Sequence, residues 1–137
     1  MAQKLRIMVV DDDETTLEII VALLQQRGHS VISRNQALGT TLAIRRESPD
    51  VVILDVHMPG LTGDKLVGLV AGRSGGSRPL IILHSGSERT ELEQLAQRCG
   101  AAGVIEKTGD PFDFLQSFER IVASNRPPVE ASRARPR

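Results

Sequence analysis

The sequence predicts an α/β fold, a doubly wound sheet of five parallel strands with helices on both faces. Three observations carry that expectation. Short apolar runs such as Leu5-Arg6-Ile7-Met8-Val9-Val10 and Val51-Val52-Ile53-Leu54 are too short for helices and too continuous for strands with one wet face. Between such runs lie stretches whose apolar residues recur at helical spacing, so strand and helix alternate along the chain. Several of the runs also end abruptly in polar residues, at the strand ends where open α/β sheets bind ligands.

The first strand runs into Asp11-Asp12-Asp13-Glu14, and these acids suit the cap and first turn of a helix, where free N–H groups favour negative charge. Leu17, Ile20 and Leu24 mark the buried face of that helix, and Gly28 closes it. Ser30 to Ser33 forms a second strand, and a weakly periodic second helix is expected over 36–47, interrupted by Thr40 and Thr41. His29, next to the closing glycine, reads as a surface histidine.

Pro49 forces extended backbone ahead of the central strand, which ends in Asp55 before a Met58-Pro59-Gly60 turn. Leu66, Leu69 and Val70 mark a third helix, and Gly72, Gly75, Gly76 and the intervening serines form a flexible connection up to Pro79. Leu80-Ile81-Ile82-Leu83 is the fourth strand, giving way to His84-Ser85-Gly86-Ser87. Leu92, Leu95, Ala96 and Cys99 line a fourth helix closed by Gly100, and Gly103-Val104-Ile105 is a brief fifth strand. Asp110 as N-cap and Pro111 at the first helical position open the last helix, packed through Leu115, Phe118 and Val122. Right-handed crossovers and five strands favour the flavodoxin-like order 2-1-3-4-5.

The 137 residues suit one domain, read as a folded unit over 4–123 and a disordered tail or linker stub over 124–137, where prolines and arginines replace large apolar residues. Seventeen acids balance seventeen bases, so charge points to neither direct nucleic-acid contact nor a membrane surface. The tail carries Arg126, Arg133, Arg135 and Arg137 against Glu130, leaving the body slightly acidic. Cys99 is the only cysteine and reads as a small buried hydrophobe; with no intrachain disulfide, signal peptide pattern or membrane-length apolar run, a cytoplasmic location is expected.

In the expected strand order, Asp11-Asp12, Asp55, Ser85 and Lys107 stand at the carboxyl ends of neighbouring strands and converge on one shallow pocket. Clustered carboxylates repel one another unless a cation compensates, and Mg²⁺ suits one or two carboxylates with waters and phosphate oxygens. Lys107 offers a point charge for a phosphoryl oxygen and Ser85 a hydroxyl donor. Together they describe a carboxylate placed to accept phosphate. Taken singly, the acids read as helix caps, Lys107 as a surface lysine, Ser85 as a loop hydroxyl, and His57 and His84 as structural residues. The joint occurrence overturns that reading for the acids, Asp55 and Lys107, less firmly for Ser85, and not for the histidines.

The strings Ile7-Met8-Val9-Val10-Asp11-Asp12-Asp13, Leu54-Asp55-Val56-His57-Met58-Pro59-Gly60-Leu61-Thr62-Gly63 and Gly100-Ala101-Ala102-Gly103-Val104-Ile105-Glu106-Lys107 closely resemble the CheY-like receiver domain of two-component response regulators. The resemblance implies phosphorelay signalling: Asp55 as phosphoacceptor, Asp11 and Asp12 holding Mg²⁺ with Asp55 and the backbone carbonyl of His57, Lys107 contacting the phosphoryl group, and Ser85 as the switch hydroxyl. It implies a regulatory domain rather than an enzyme. The expected partners are a sensor histidine kinase or phosphotransfer protein, a downstream protein on the face of the fourth helix, fifth strand and last helix, and a possible homodimer. Val104 stands where many receivers carry Tyr or Phe, Thr108 follows the lysine where proline is usual, and position 57 holds His. Two other classes compete with it: a pseudo-receiver interaction module without phosphorylation, and a haloacid-dehalogenase-like aspartyl-phosphate phosphatase, which wants a second acid where this chain has His57.

Overall fold

The computed structural model describes residues 3–62, 65, 66, 68, 69 and 79–125. Its elements are β1 (Arg6–Val10), α1 (Glu14–Gln26), β2 (Ser30–Arg34), α2 (Thr40–Glu47), β3 (Val51–Asp55), β4 (Leu80–Ser85), α3 (Arg89–Cys99), β5 (Gly103–Glu106) and α4 (Pro111–Asn125). Lys65, Leu66, Gly68 and Leu69 are also helical, with Leu66 and Leu69 buried. The rest of the expected third helix, the glycine-serine connection over 72–78 and the tail from 126 fall outside the described residues. The fourth and last helices expected from sequence are thus α3 and α4.

The strands pair in the order β2-β1-β3-β4-β5, all parallel, as the apolar runs predict. Alternation within each strand divides the core in two. Met8, Val10, Val52, Leu54, Ile81, Leu83 and Val104 pack with α2 and α3 residues on one face, while Ile7, Val9, Val51, Ile53, Ile82 and Ile105 pack with α1 and α4 residues on the other. Both faces of the central strands are dry, which is why their sequences read as continuous apolar runs.

Helix ends follow local chemistry. Asp13 occupies the N-cap position of α1, and its Oδ2 accepts a hydrogen bond from the Thr16 hydroxyl at 2.5 Å, which holds the carboxyl below its usual range. Gly28 follows with φ +91°, a conformation open to glycine without strain. Asp110 Oδ1 accepts the Phe112 N–H at 2.9 Å ahead of the first turn of α4.

Boundaries differ from expectation in two places that matter. The second helix starts at Thr40 rather than 36, because Gly39 turns left-handed (φ +84°) and the Thr40 N–H closes a turn on the Ala37 carbonyl. The Thr40 side chain is buried there, its hydroxyl meeting Arg34 Nε at 3.2 Å and the Gln36 carbonyl at 3.3 Å. The fourth strand continues two residues beyond Leu83, taking His84 and Ser85 into the sheet, with Asp55 opposite His84 and Ser85 opposite Glu106.

His29 is a correction: it is buried rather than at the surface. Its Nδ1 accepts the Leu5 N–H at 3.1 Å, and burial lowers its pKa. It also ends a column of rings on the α1–α4 side of the sheet. His84 meets Phe114 edge-on at 5.3 Å, Phe114 stacks on Phe118 at 6.2 Å, and Phe118 meets His29 edge-on at 6.0 Å. Cys99 is buried, as expected.

Candidate functional site

The strand order sets the ends of β1, β3, β4 and β5 side by side, and backbone bonds fix the residues just beyond them. The Asp11 N–H donates to the Arg34 carbonyl at 3.0 Å, and the Lys107 N–H to the Ser85 carbonyl at 2.9 Å. Carboxylate oxygens of Asp11, Asp12 and Asp55 come within 4.8 Å of one another, with Asp11 and Asp55 buried and Asp12 exposed.

The two buried acids are held alike. Asp11 Oδ1 accepts the Asp13 N–H at 2.9 Å and Asp55 Oδ1 accepts the His57 N–H at 3.0 Å, so one oxygen of each is tied to the loop that follows it. Each remaining oxygen faces Lys107, whose Nζ lies 3.0 Å from Asp11 Oδ2 and 3.6 Å from Asp55 Oδ2. Burial pushes the Asp55 pKa upward, aided by the charges of Asp11 and Asp12 and opposed by the His57 N–H and Lys107.

The donor set is all oxygen, and the buried Asp11 Oδ2 meets the Lys107 ammonium at 3.0 Å with no hydrogen bond from any other protein group among the described residues. Hard oxygen donors clustered this closely suit a divalent ion such as Mg²⁺, whose charge relieves the repulsion among the three acids. Lys107 supplies only one positive charge to that cluster.

Ser85 is fully buried at the end of β4. Its Oγ accepts the Ser87 N–H at 3.1 Å and donates to Ser87 Oγ at 3.3 Å. Ser87 Oγ in turn shares a hydrogen bond with His57 Nε2. Sequence reasoning missed Ser87; two hydroxyls two residues apart after an apolar strand, a spacing that favours a local side-chain turn, were the available signal.

His84 is buried beside the cluster, and burial followed by the Lys107 charge lowers its pKa to about 4, against the opposing pull of Asp11. Val104 is buried among the apolar residues under α3. Thr108 ties the loop after Lys107, its Oγ1 accepting the Asp110 N–H at 3.2 Å and donating to Asp113 Oδ2 at 3.3 Å.

Comparison with known proteins bears on this arrangement. The family model for the response regulator receiver domain matches residues 7–119. Protein PilH of Pseudomonas aeruginosa is 32% identical over 120 residues, covering 86% of this chain and 98% of PilH. ARR21 of Arabidopsis thaliana is 33% identical over 126 residues, 90% of this chain, which spans only 20% of ARR21. Among solved structures, the chemotaxis response regulator CheY4 of Vibrio cholerae matches with a TM-score of 0.77 at 24% identity, covering 87% of this chain and 99% of that one, a likeness of fold. The matched span runs from the first strand into the last helix and holds every strand end of the acid cluster, so the chain belongs to the response regulator receiver domain family, the phosphorelay-signalling module of two-component systems.

Proposed function

We propose that Asp55 accepts a phosphoryl group from the phosphohistidine of a sensor histidine kinase or phosphotransfer protein, in a Mg²⁺-dependent reaction, and that this switches a protein-binding surface. The observation that carries the reading is the turning of one carboxylate oxygen each of Asp11 and Asp55 toward one ammonium at 3.0 and 3.6 Å. Asp11, Asp12, Asp55 and the backbone carbonyl of His57 would hold the Mg²⁺. When bound, the ion supplies positive charge that offsets the carboxylates and the phosphoryl oxygens.

An Asp55 oxygen attacks phosphorus in line with the donor imidazole. The new O–P bond forms as the P–N bond breaks, and its electron pair returns to the imidazole nitrogen. Lys107 meets a phosphoryl oxygen as a point charge, and Ser85 donates a hydrogen bond to another. Drawing Ser85 and Lys107 inward pulls on the ends of β4 and β5, and so on the face of α3, β5 and α4, where a downstream partner or a second copy would dock. The role is regulatory, with the phosphoryl group as signal rather than product.

Acetyl phosphate with Mg²⁺, followed by intact-mass analysis, tests the reading. One phosphoryl adduct on the wild-type chain, lost in Asp55→Asn, is expected. No adduct, or an undiminished one on Asp55→Asn, overturns it in favour of an interaction module without phosphorylation; turnover of a small phosphate ester would point to a phosphatase.

A further inference from the structure

The hydroxyl of Ser85 carries a single proton, and in this structure Ser85 Oγ donates it to Ser87 Oγ at 3.3 Å and itself accepts the Ser87 N–H at 3.1 Å. It cannot also be given to a phosphoryl oxygen on Asp55. Ser85 is fully buried, so no bulk water competes for the hydroxyl.

Ser87 is itself held from the other side. Its Oγ is bonded to His57 Nε2, and the His57 N–H donates to Asp55 Oδ1 at 3.0 Å. One hydrogen-bonded circuit therefore runs from Asp55 through His57 and Ser87 to Ser85, joining the loop after β3 to the loop after β4. Behind it lies a cavity of about 130 Å³ whose walls include His57, Ser87, Leu61, Leu66, Leu92 and Leu95. Ser87 stands two residues ahead of Arg89, where α3 begins.

We propose that Ser87, anchored by His57, is a latch that withholds the Ser85 hydroxyl until a phosphoryl group on Asp55 takes it, freeing the loop that leads into α3. The latch rests on the phosphoacceptor reading above. It makes Ser87 a positioning residue, acting through Ser85. It also gives this chain a polar link from Asp55 to α3 that does not pass through position 104.

Beryllofluoride with Mg²⁺, a phosphoryl mimic, tests the latch on the full chain through amide shifts followed by NMR titration. Removing the Ser87 hydroxyl frees the Ser85 proton, so Ser87→Ala should bind the mimic about fivefold more tightly, the worth of one neutral hydrogen bond. In a Ser85→Ala background the same substitution should change nothing, since there is no hydroxyl to release. His57→Ala should recover part of the gain. Unchanged or weaker binding by Ser87→Ala, or an equal gain with and without Ser85, overturns the latch while leaving the phosphoacceptor reading intact. A wild-type chain with no response to beryllofluoride overturns that reading and the latch together.

Discussion

The ammonium of Lys107 lies 3.0 Å from Asp11 Oδ2, closer than the 3.6 Å that separates it from Asp55 Oδ2. In this arrangement the lysine neutralises an oxygen that a divalent cation would also use. Lys107→Met should therefore strengthen Mg²⁺ binding, by at least about fivefold, the ~1 kcal/mol of a unit charge pair about 4 Å apart under water-like screening. The same substitution should lower acetyl-phosphate labelling of Asp55 at least about tenfold, by loss of a charge-assisted contact to the phosphoryl group. Calorimetric Mg²⁺ titration and intact-mass labelling read the two effects separately; loss of both would refute the competition.

Asp55 is buried with its pKa raised by desolvation and by the neighbouring acids. A carboxyl raised in the folded state favours folding fully below its unfolded value of 3.8, and that contribution is lost as pH rises through the folded value. At neutral pH without divalent ions, Asp55→Asn should then stabilise the fold and raise Tm. Saturating Mg²⁺ should narrow or reverse the gap, because the wild type gains more from binding. Thermal melts with EDTA and with Mg²⁺ decide the matter.

His84 has the opposite linkage. Its folded pKa of about 4 lies below the unfolded 6.5, so its contribution is present above 6.5 and is lost as pH falls toward 4. Between pH 7 and pH 5 the wild type should lose about 2 kcal/mol through this group. His84→Leu, which keeps an apolar body against Phe114, should remove that part of the slope. Urea unfolding at the two pH values, wild type against variant, measures it.

Gly103 opens β5 directly beneath α4. A Cβ built there would lie 2.9 Å from Ile121 Cδ1, 3.0 Å from Cγ1 and 3.1 Å from Cγ2. Three atoms of one branched side chain cannot all retreat by rotation, so Gly103→Ala should cost about 1–3 kcal/mol. Pairing it with Ile121→Ala should recover much of that loss. A double-mutant cycle in urea that shows simple additivity would refute the clash.

The sheet was legible because its interior strands are dry on both faces, so Ile7 to Val10 and Val51 to Leu54 announce themselves without periodicity. The grouping of Asp11, Asp12, Asp55 and Lys107 followed from strand order alone, since each lies at or just past the end of a strand. Contacts made by side chains across loops were not legible. The bond of His57 to Ser87 joins residues thirty positions apart, and nothing in either neighbourhood marks it. The start of α2 depended on the turn at Gly39, which the helical spacing around it concealed. His29 looked exposed because it follows a helix-ending glycine, yet a backbone N–H and the Phe118 ring give it a buried home.

The ring column from His84 to His29 has a practical consequence. The chain has no Trp or Tyr and only three Phe, so tryptophan emission and near-ultraviolet absorbance offer almost nothing to follow. Two of those phenylalanines and two of the three histidines nevertheless stand in one file among the methyl-rich residues of a single face. Their ring currents should displace the methyl resonances of neighbours such as Ile20, Leu24 and Leu115. The side of the sheet between α1 and α4 thus carries its own spectroscopic label, beginning one residue from Ser85.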